Sequence, residues 1–163
     1  MQMVYAVGAG ARSLWSFIDA TEGAGGLIII GSCDLPGIWS AIGLLSRTFR
    51  RVAADINLSH PIKWATADKP RLWINTLVCG ERAAIVAVVN EDNTCDTNGF
   101  ILRAACDAVF TFPDLPWLKG ARVERLLPDG SSPVVCQRNE KNDALQWRAM
   151  AVQDVALYRV TAQ

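Results

Sequence analysis

From residue 61 onward the sequence repeats one pattern, a short stretch of alternating apolar and polar residues followed by a turn. Leu145 and Trp147 alternate with Gln146 and Arg148, so a strand here would have one apolar and one polar side. Turn-forming residues separate such stretches at intervals of about 8–12 residues, which is typical of an all-β sandwich or barrel. The short connections favour hairpins and therefore antiparallel pairing. The predicted strands are 71–78, 83–89, 99–105, 107–112, 121–127, 133–137, 145–150 and 154–160.

The first 60 residues have a different pattern, rich in glycine and in helical periodicity. We predict a helix over 36–54, because apolar residues recur at the spacing of one helix face. That face comprises Ile38, Ile42, Leu45, Phe49 and Val52. Residues 13–19 are predicted to form a buried strand ending in Asp19, and 27–30 a second short strand. Residues 1–35 offer little to bury the helix stripe, so we expect a neighbour outside this chain.

Composition and charge exclude several function classes. The 16 basic and 16 acidic residues balance, so we expect no nucleic-acid partner, since no long-range positive field gathers phosphates. The spacing of Arg47, Arg50 and Arg51, the densest basic group, is typical of the solvent face of a helix. No apolar stretch is long enough to span a membrane, and no basic-then-apolar leader follows Met1.

The five cysteines are widely spaced and form no CxxC pair, so no zinc or other metal site is expected. We interpret them mainly as buried thiols, because free cysteine packs as a small apolar residue. One disulfide among the later four stays open as an alternative. These four are Cys79, Cys95, Cys106 and Cys136.

Residues 7–13, VGAGARS, superficially resemble a dinucleotide-binding fingerprint. That fingerprint needs a preceding strand, a following helix and a third glycine, whose place Ser13 takes. We therefore reject nucleotide binding and expect no cofactor. Asp19 and Glu22 are candidate functional carboxylates, although a loop-capping role is favoured for Asp19. His60, the single histidine, precedes a proline, and no nucleophile motif lies nearby, so packing is favoured over catalysis.

Six tryptophans are many for 163 residues. Exposed tryptophans on a sheet could stack on sugar rings, whereas buried ones would build the core. We predict core positions for Trp39 and Trp147. The residues left undecided are Trp15, Trp64, Trp73 and Trp117.

Four segments in this order resemble the end of a glycoside hydrolase (β/α)8 barrel followed by its β-sandwich. Residues 4–17 resemble an alanine-rich helix leading into a "GARGL" strand, with Ser13 replacing a glycine. Residues 38–54 resemble the final barrel helix. Asn90 after 87–89 resembles a "vvvN" strand, and 155–160 resembles the closing strand.

This resemblance implies a mainly β chain with two parts. Residues 1–60 would be an α/β segment from the last barrel unit, and 61–163 an antiparallel β-sandwich accessory domain. Such enzymes use two carboxylates, here expected on earlier strands encoded upstream of Met1, so no catalytic residue is assigned. Trp15 is implied to line a sugar subsite. Asp19 would lie at the strand end where barrel active sites gather.

Three functional hypotheses follow. The first is a C-terminal portion of a glycoside hydrolase-like protein whose sandwich is accessory and carbohydrate-associated. Its partners would be carbohydrate and the missing barrel portion or an oligomeric partner. The second is a free-standing, non-catalytic sandwich that binds a sugar or a protein. The third, ranked last, is a small enzyme using Asp19, Glu22 or His60.

Overall fold

The computed structural model describes residues 2–12, 36–96, 99–102, 106–113, 115–118, 120–137, 145–152 and 155–162. The helices are α1 (Gln2–Gly8), α2 (Pro36–Arg51) and α3 (Ala53–Asn57). The strands are β1 (Ser59–Ile62), β2 (Thr66–Ala67), β3 (Leu72–Cys79), β4 (Ala83–Asn90), β5 (Asn93–Asp96), β6 (Gly99–Leu102), β7 (Cys106–Phe112), β8 (Arg122–Arg125), β9 (Val134–Gln137), β10 (Leu145–Val152) and β11 (Val155–Thr161). A 3₁₀ turn lies at Pro116–Leu118. The strands predicted at 13–19 and 27–30 lie outside the described residues.

The described strands form antiparallel sheets, which confirms the mainly β, sandwich-like fold class. A six-stranded sheet has the order β1-β3-β4-β11-β8-β9, and a three-stranded sheet has the order β10-β7-β2. Strands β5 and β6 form a separate hairpin. All strand pairs are antiparallel, as the short predicted turns require.

The two larger sheets are connected at both sides by strands consecutive in the chain. Strands β1 and β2 are edge strands of different sheets, and so are β9 and β10. The backbone N–H of Ala65, between β1 and β2, donates to the Thr76 hydroxyl at 3.1 Å. On the other side, the Cys136 thiol donates to the Gln146 carbonyl at 3.0 Å. These bonds help to hold the edges together.

The core between these sheets is aromatic. Phe110 of β7 lies against Trp147 of β10 and Tyr158 of β11, with ring centroids 5.4 and 5.5 Å apart. We call this core the inner cluster. Its buried members are Ala65, Leu72, Ala84, Val86, Val88, Ala108, Phe110, Phe112, Ala121, Val123, Leu145, Trp147, Ala156, Tyr158 and Val160.

The opposite face of the six-stranded sheet is also buried, because the helices pack on it. Every residue of β4 is buried, so this strand has core on both faces. We call the second core the outer cluster. Its buried members are Val4, Val7, Val52, Ile56, Leu77, Ile85, Ala87, Val89, Leu126 and Leu157. The described chain therefore forms three layers: helices, large sheet and small sheet.

Several predictions differ in detail from the structure. The predicted helix over 36–54 ends at Arg51, and α3 continues after Val52. Phe49 and Val52 pack against the outer cluster, so part of the helix stripe does find a partner within the chain. Alternation in β10 is confirmed, since Leu145 and Trp147 are buried whereas Gln146 and Arg148 are exposed.

Strands β1, β2 and β5 are missing from the sequence prediction. Strand β1 contains Pro61, which is tolerated because β1 is an edge strand, where proline's missing N–H need not join a ladder. Strand β2 has only two residues, too few for alternation to be detected.

Candidate functional site

The predicted site residues lie mostly outside the described part of the chain. Trp15, Asp19 and Glu22 are in this category, and their roles stay predictions. His60 lies on edge strand β1 with an exposed side chain. Its side chain makes no hydrogen bond or ion pair with another described residue.

The glycine motif at the end of α1 forms a close contact with the large sheet. A Cβ at Gly8 would lie 2.8 Å from the Trp73 ring, so only glycine fits without a shift. Gly10 has a φ of +99°, which favours glycine, and lies against Pro61. A helix precedes these glycines where a dinucleotide fingerprint needs a strand. The motif thus brings α1 close to the sheet, which sequence reasoning missed.

Polar contacts orient α1 on this face. The Tyr5 hydroxyl donates to Glu91 Oε1 at 2.6 Å, and the Tyr5 ring packs edge-on against Trp73 at 4.7 Å. Burial, together with the hydrogen bond and charge of Glu91, raises the pKa of Tyr5 to about 12. The Asn75 amide donates to the Gly8 carbonyl at 2.9 Å. These directional bonds select one placement of α1, which apolar packing alone does not.

Arg12 connects the segment after α1 to the end of α3. Its Nη1 donates to the Ile56 carbonyl at 2.9 Å, and its guanidinium also donates to the carbonyls of Asn57 and Ser59. The last carbonyls of a helix lack intrahelical partners, so a cationic donor there is favourable. Arg12 therefore holds α3 and the start of β1 beside α1.

Arg51 connects α2 to the loop between β8 and β9. Its guanidinium donates to the carbonyl of Leu127 at 3.1 Å and to the carbonyl of Ser131 and the hydroxyl of Ser132. Within that loop, hydrogen bonds from Ser131 lower the pKa of Asp129. The basic group on α2 is exposed, as predicted, but Arg51 also has this structural role.

An ion pair connects α3 to the sheet. Asp55 Oδ2 lies 2.9 Å from Arg159 Nη2, with both side chains partly exposed. Burial and the nearby Asp55 charge raise the pKa of Cys79 to about 11. The thiol is therefore neutral at physiological pH, consistent with a structural rather than a reactive cysteine.

We call the surface formed by the outer cluster and these polar contacts the docking face. Most carboxylates near it have structural partners: Asp55 pairs with Arg159 and Glu91 accepts from Tyr5. Within the described ranges, no group of three or more His, Cys, Asp or Glu side chains is placed to hold a metal ion. Helices long and apolar enough to cross a membrane are likewise absent from those ranges.

The tryptophans mostly contribute to packing. Trp147 is 3% exposed in the inner cluster, as predicted. Trp64 lies edge-on to Phe112 at 6.2 Å, and Trp117 packs against the same cluster. Trp73 packs against the outer cluster. Trp15 and the Trp39 side chain lie outside the described residues.

Comparison with protein-family models finds no match, and comparison with curated proteins finds none. Among solved structures, the chain is similar to CelM2, a bifunctional glucanase-xylanase from a metagenome library. The two share 18% identity with a TM-score of 0.37, over 60% of this chain and 17% of that one. The chain thus spans under a fifth of the length of that enzyme.

Proposed function

We propose that this chain is the C-terminal portion of a glycoside hydrolase-like protein, and that its sandwich supports the helical segment without holding a complete active site. The observation that carries the proposal is the docking face, where helices from the first 60 residues cover the outer side of the large sheet. The division near residue 60, between a barrel-derived segment and an accessory sandwich, is part of the proposal.

The core of a β-sandwich lies between the inner faces of its two sheets. Burial of the outer face of the large sheet is therefore not required for the sandwich itself. Here Val4 and Val7 of α1 and Val52 and Ile56 around α3 are all buried on that face. Burying each such side chain stabilises the association by about 1.5–3 kcal/mol. The large sheet therefore acts as a platform that holds the segment in place.

The proposed relation to glycoside hydrolases is based on the resemblance in sequence. Segments 4–17 and 38–54 resemble the last helices and strand of a glycosidase barrel, and the helices α1 and α2 overlap them. The catalytic carboxylates implied by that resemblance would come from earlier barrel strands. Trp15 and Asp19 are proposed to face the substrate in the assembled protein.

The test begins with the genomic DNA immediately 5′ of the Met1 codon. We expect an in-frame sequence that encodes alternating strands and helices. The extended protein should then hydrolyse oligosaccharides, whereas residues 1–163 alone should not. An isolated 163-residue chain that hydrolyses oligosaccharides, with no in-frame coding sequence upstream, would contradict the proposal.

Within the extended protein, Trp73→Ala tests the supporting role. Because Trp73 packs under α1, this change should shorten the half-life of activity on heating and leave KM unchanged. The matched control is Arg148→Ala, on the exposed side of β10. Equal heat inactivation of both variants would argue against support by the docking face.

The alternative is a free-standing sandwich that binds a protein or a sugar. Strand β9, an edge strand, favours a protein partner, since Val134 and Val135 are 52% and 36% exposed. A sugar partner should change tryptophan fluorescence when diverse oligosaccharides are titrated into the purified chain. If Val134→Lys leaves every detected protein complex intact and no glycan changes the fluorescence, this alternative fails.

A further inference from the structure

A small cavity lies at one end of the sandwich, where β3 begins, β4 ends and β7 begins. Its volume is about 220 Å³. The lining residues are Lys69, Pro70, Arg71, Leu72, Asn90, Asp92 and Cys106. Because β3 and β4 belong to the large sheet and β7 to the small one, the cavity bridges the two sheets. None of its lining residues belongs to the outer cluster.

Backbone and side-chain bonds hold the polar wall of this cavity. Arg71 Nη1 lies 2.6 Å from Asp92 Oδ1. The Glu91 N–H donates to the Arg71 carbonyl at 2.8 Å, and the Asp92 N–H donates to Asn90 Oδ1 at 2.9 Å. Asn90 is 1% exposed. The polar groups are thus fixed before a ligand arrives, which reduces the entropy lost on binding.

The charges lining the cavity favour an anion. Arg71 is paired with Asp92, the single carboxylate of the lining, so Lys69 supplies the net positive charge. The Lys69 ammonium makes no hydrogen bond or ion pair with a residue in the described ranges. Burial raises the pKa of Cys106, so its thiol is neutral at physiological pH and leaves the positive charge intact. Neighbouring Asp107 is paired with Arg148 at 3.2 Å.

The size and the remaining groups narrow the ligand class. Pockets for drug-sized ligands are about 300–1,000 Å³, so this cavity suits a smaller ligand. Pro70 and Leu72 form an apolar wall, while guanidinium, carboxylate and amide groups can each bond hydroxyls. We propose that the cavity binds a single sugar acid, with its carboxylate at Lys69 and its hydroxyls at Arg71 and Asp92. This proposal does not rest on the supporting role proposed above.

Cys106 permits a direct test by alkylation footprinting. Purified protein is treated with iodoacetamide, and alkylation of each cysteine peptide is followed by mass spectrometry. Glucuronate present at ten times its Kd should slow alkylation of Cys106 about tenfold, because only the free fraction reacts. Cys79 and Cys136 serve as internal controls, since neither lines the cavity. Their rates should not change.

Other ligands and variants test separately whether the carboxylate and the sugar ring are recognised. Glucose, acetate and inorganic phosphate should protect Cys106 far less than glucuronate. Lys69→Gln should remove the protection, whereas Lys63→Gln, at another exposed lysine, should retain it. Equal protection by glucose, or unchanged protection in Lys69→Gln, would overturn the role of the carboxylate. Equal protection by acetate or phosphate would show that the sugar ring is not recognised. If no ligand protects Cys106, the proposal that the cavity is a binding site is wrong.

Discussion

The two faces of the six-stranded sheet are both buried, but different forces hold them. On the inner face, large aromatic side chains pack sheet against sheet, as Phe110, Trp147 and Tyr158 show. On the outer face, smaller aliphatic side chains are combined with polar contacts such as those of Arg12 and Asn75. Apolar packing is not directional, whereas hydrogen bonds are. We therefore expect the inner face to contribute more to stability through its larger apolar side chains, and the directional bonds of the outer face to define where the helices sit.

The faces also differ in the range of their side-chain hydrogen bonds, although each holds buried polar atoms without a partner among the described residues. Arg159 Nε on the outer face has no partner among the described residues, and the same holds in the inner cluster for the Trp147 indole N–H and the Tyr158 hydroxyl. The cost of the two inner groups is offset by the aromatic surface that surrounds them. On the outer face, the Tyr5 hydroxyl reaches Glu91, 86 positions away in the chain. Long-range polar contacts of this kind are what the docking of a separate segment requires.

The largest expected effect is on the inner face. Phe110→Ala should lower the free energy of unfolding by about 3–5 kcal/mol, because it leaves a cavity among fully buried rings. Phe110 is 0% exposed. Urea denaturation followed by tryptophan fluorescence measures the change. A loss no greater than that caused by a docking-face variant would break the comparison.

The next effect is on the outer face. Gly8→Val should weaken α1 docking by about 1–3 kcal/mol, because its side chain would overlap the Trp73 ring. Hydrogen exchange should rise in α1 while the inner strands β7 and β10 stay protected. The matched control is Gly43→Ala in α2, where an added Cβ meets no atom within 4 Å.

That control should stabilise the protein by about 0.5–1 kcal/mol, since alanine favours a helix interior over glycine. If Gly8→Val instead lowers the hydrogen-exchange protection of β7 and β10 together with that of α1, the two faces unfold as one unit.

Alkaline pH should destabilise the protein through buried groups on both faces, of which Cys79 is the one tested. Cys79, on the outer face, has a pKa raised from 9.0 to about 11, and Tyr158, on the inner face, from 10.0 to about 12. Burial is the main cause in both. In each interval the native state binds more protons than the unfolded state, so stability falls as pH rises. Cys79 should contribute to this loss from above pH 9, where its thiol ionises in the unfolded chain.

The measurement is the free energy of unfolding against pH for the native sequence and for Cys79→Ala. The variant should have a shallower slope from pH 9 to 11, whatever its stability at neutral pH. Identical slopes would show that titration of Cys79 does not contribute to the loss of stability at alkaline pH.

The smallest effect is expected away from both faces. Arg148 and Asp107 form an exposed ion pair whose side chains are 66% and 46% exposed. Arg148→Ala should change the free energy of unfolding by no more than about 0.5 kcal/mol, because solvent and salt screen such pairs. Thermal denaturation at low and high salt checks this. A loss of 2 kcal/mol or more (roughly twice the upper range for exposed pairs) would show a third stabilising region.

Much of the β-sheet architecture could be predicted from local pattern. The strands at 83–89, 107–112 and 145–150 were located by apolar and alternating residues, whose period matches a strand. Strand β1 could not be located in this way. It contains Pro61, and proline is compatible with a strand only at a position such as a sheet edge, which local sequence does not reveal. The roles of Trp15 and Asp19 stay predictions.

The docking face could not be predicted in the same way. Gly8 and Asn75 lie 67 positions apart, and nothing local in either segment indicates the other. A partial signal was present, because the glycine motif failed as a nucleotide fingerprint and therefore needed another explanation. The cavity beside Lys69 likewise combines residues from three strands and their loops, which no single stretch of sequence reveals.

The amino-acid sequence by itself determined the antiparallel β-rich fold, because alternation and turn residues act over a few neighbours. It also located a strand at 83–89, a run without a charged side chain, although its burial on both faces was seen only in the structure. Only the tertiary structure decided which surface covers β4 on its outer side, what Gly8, Gly10 and Arg12 contact, and where charged groups converge. Those features depend on contacts between distant segments, whose free energy exists only once the chain has folded.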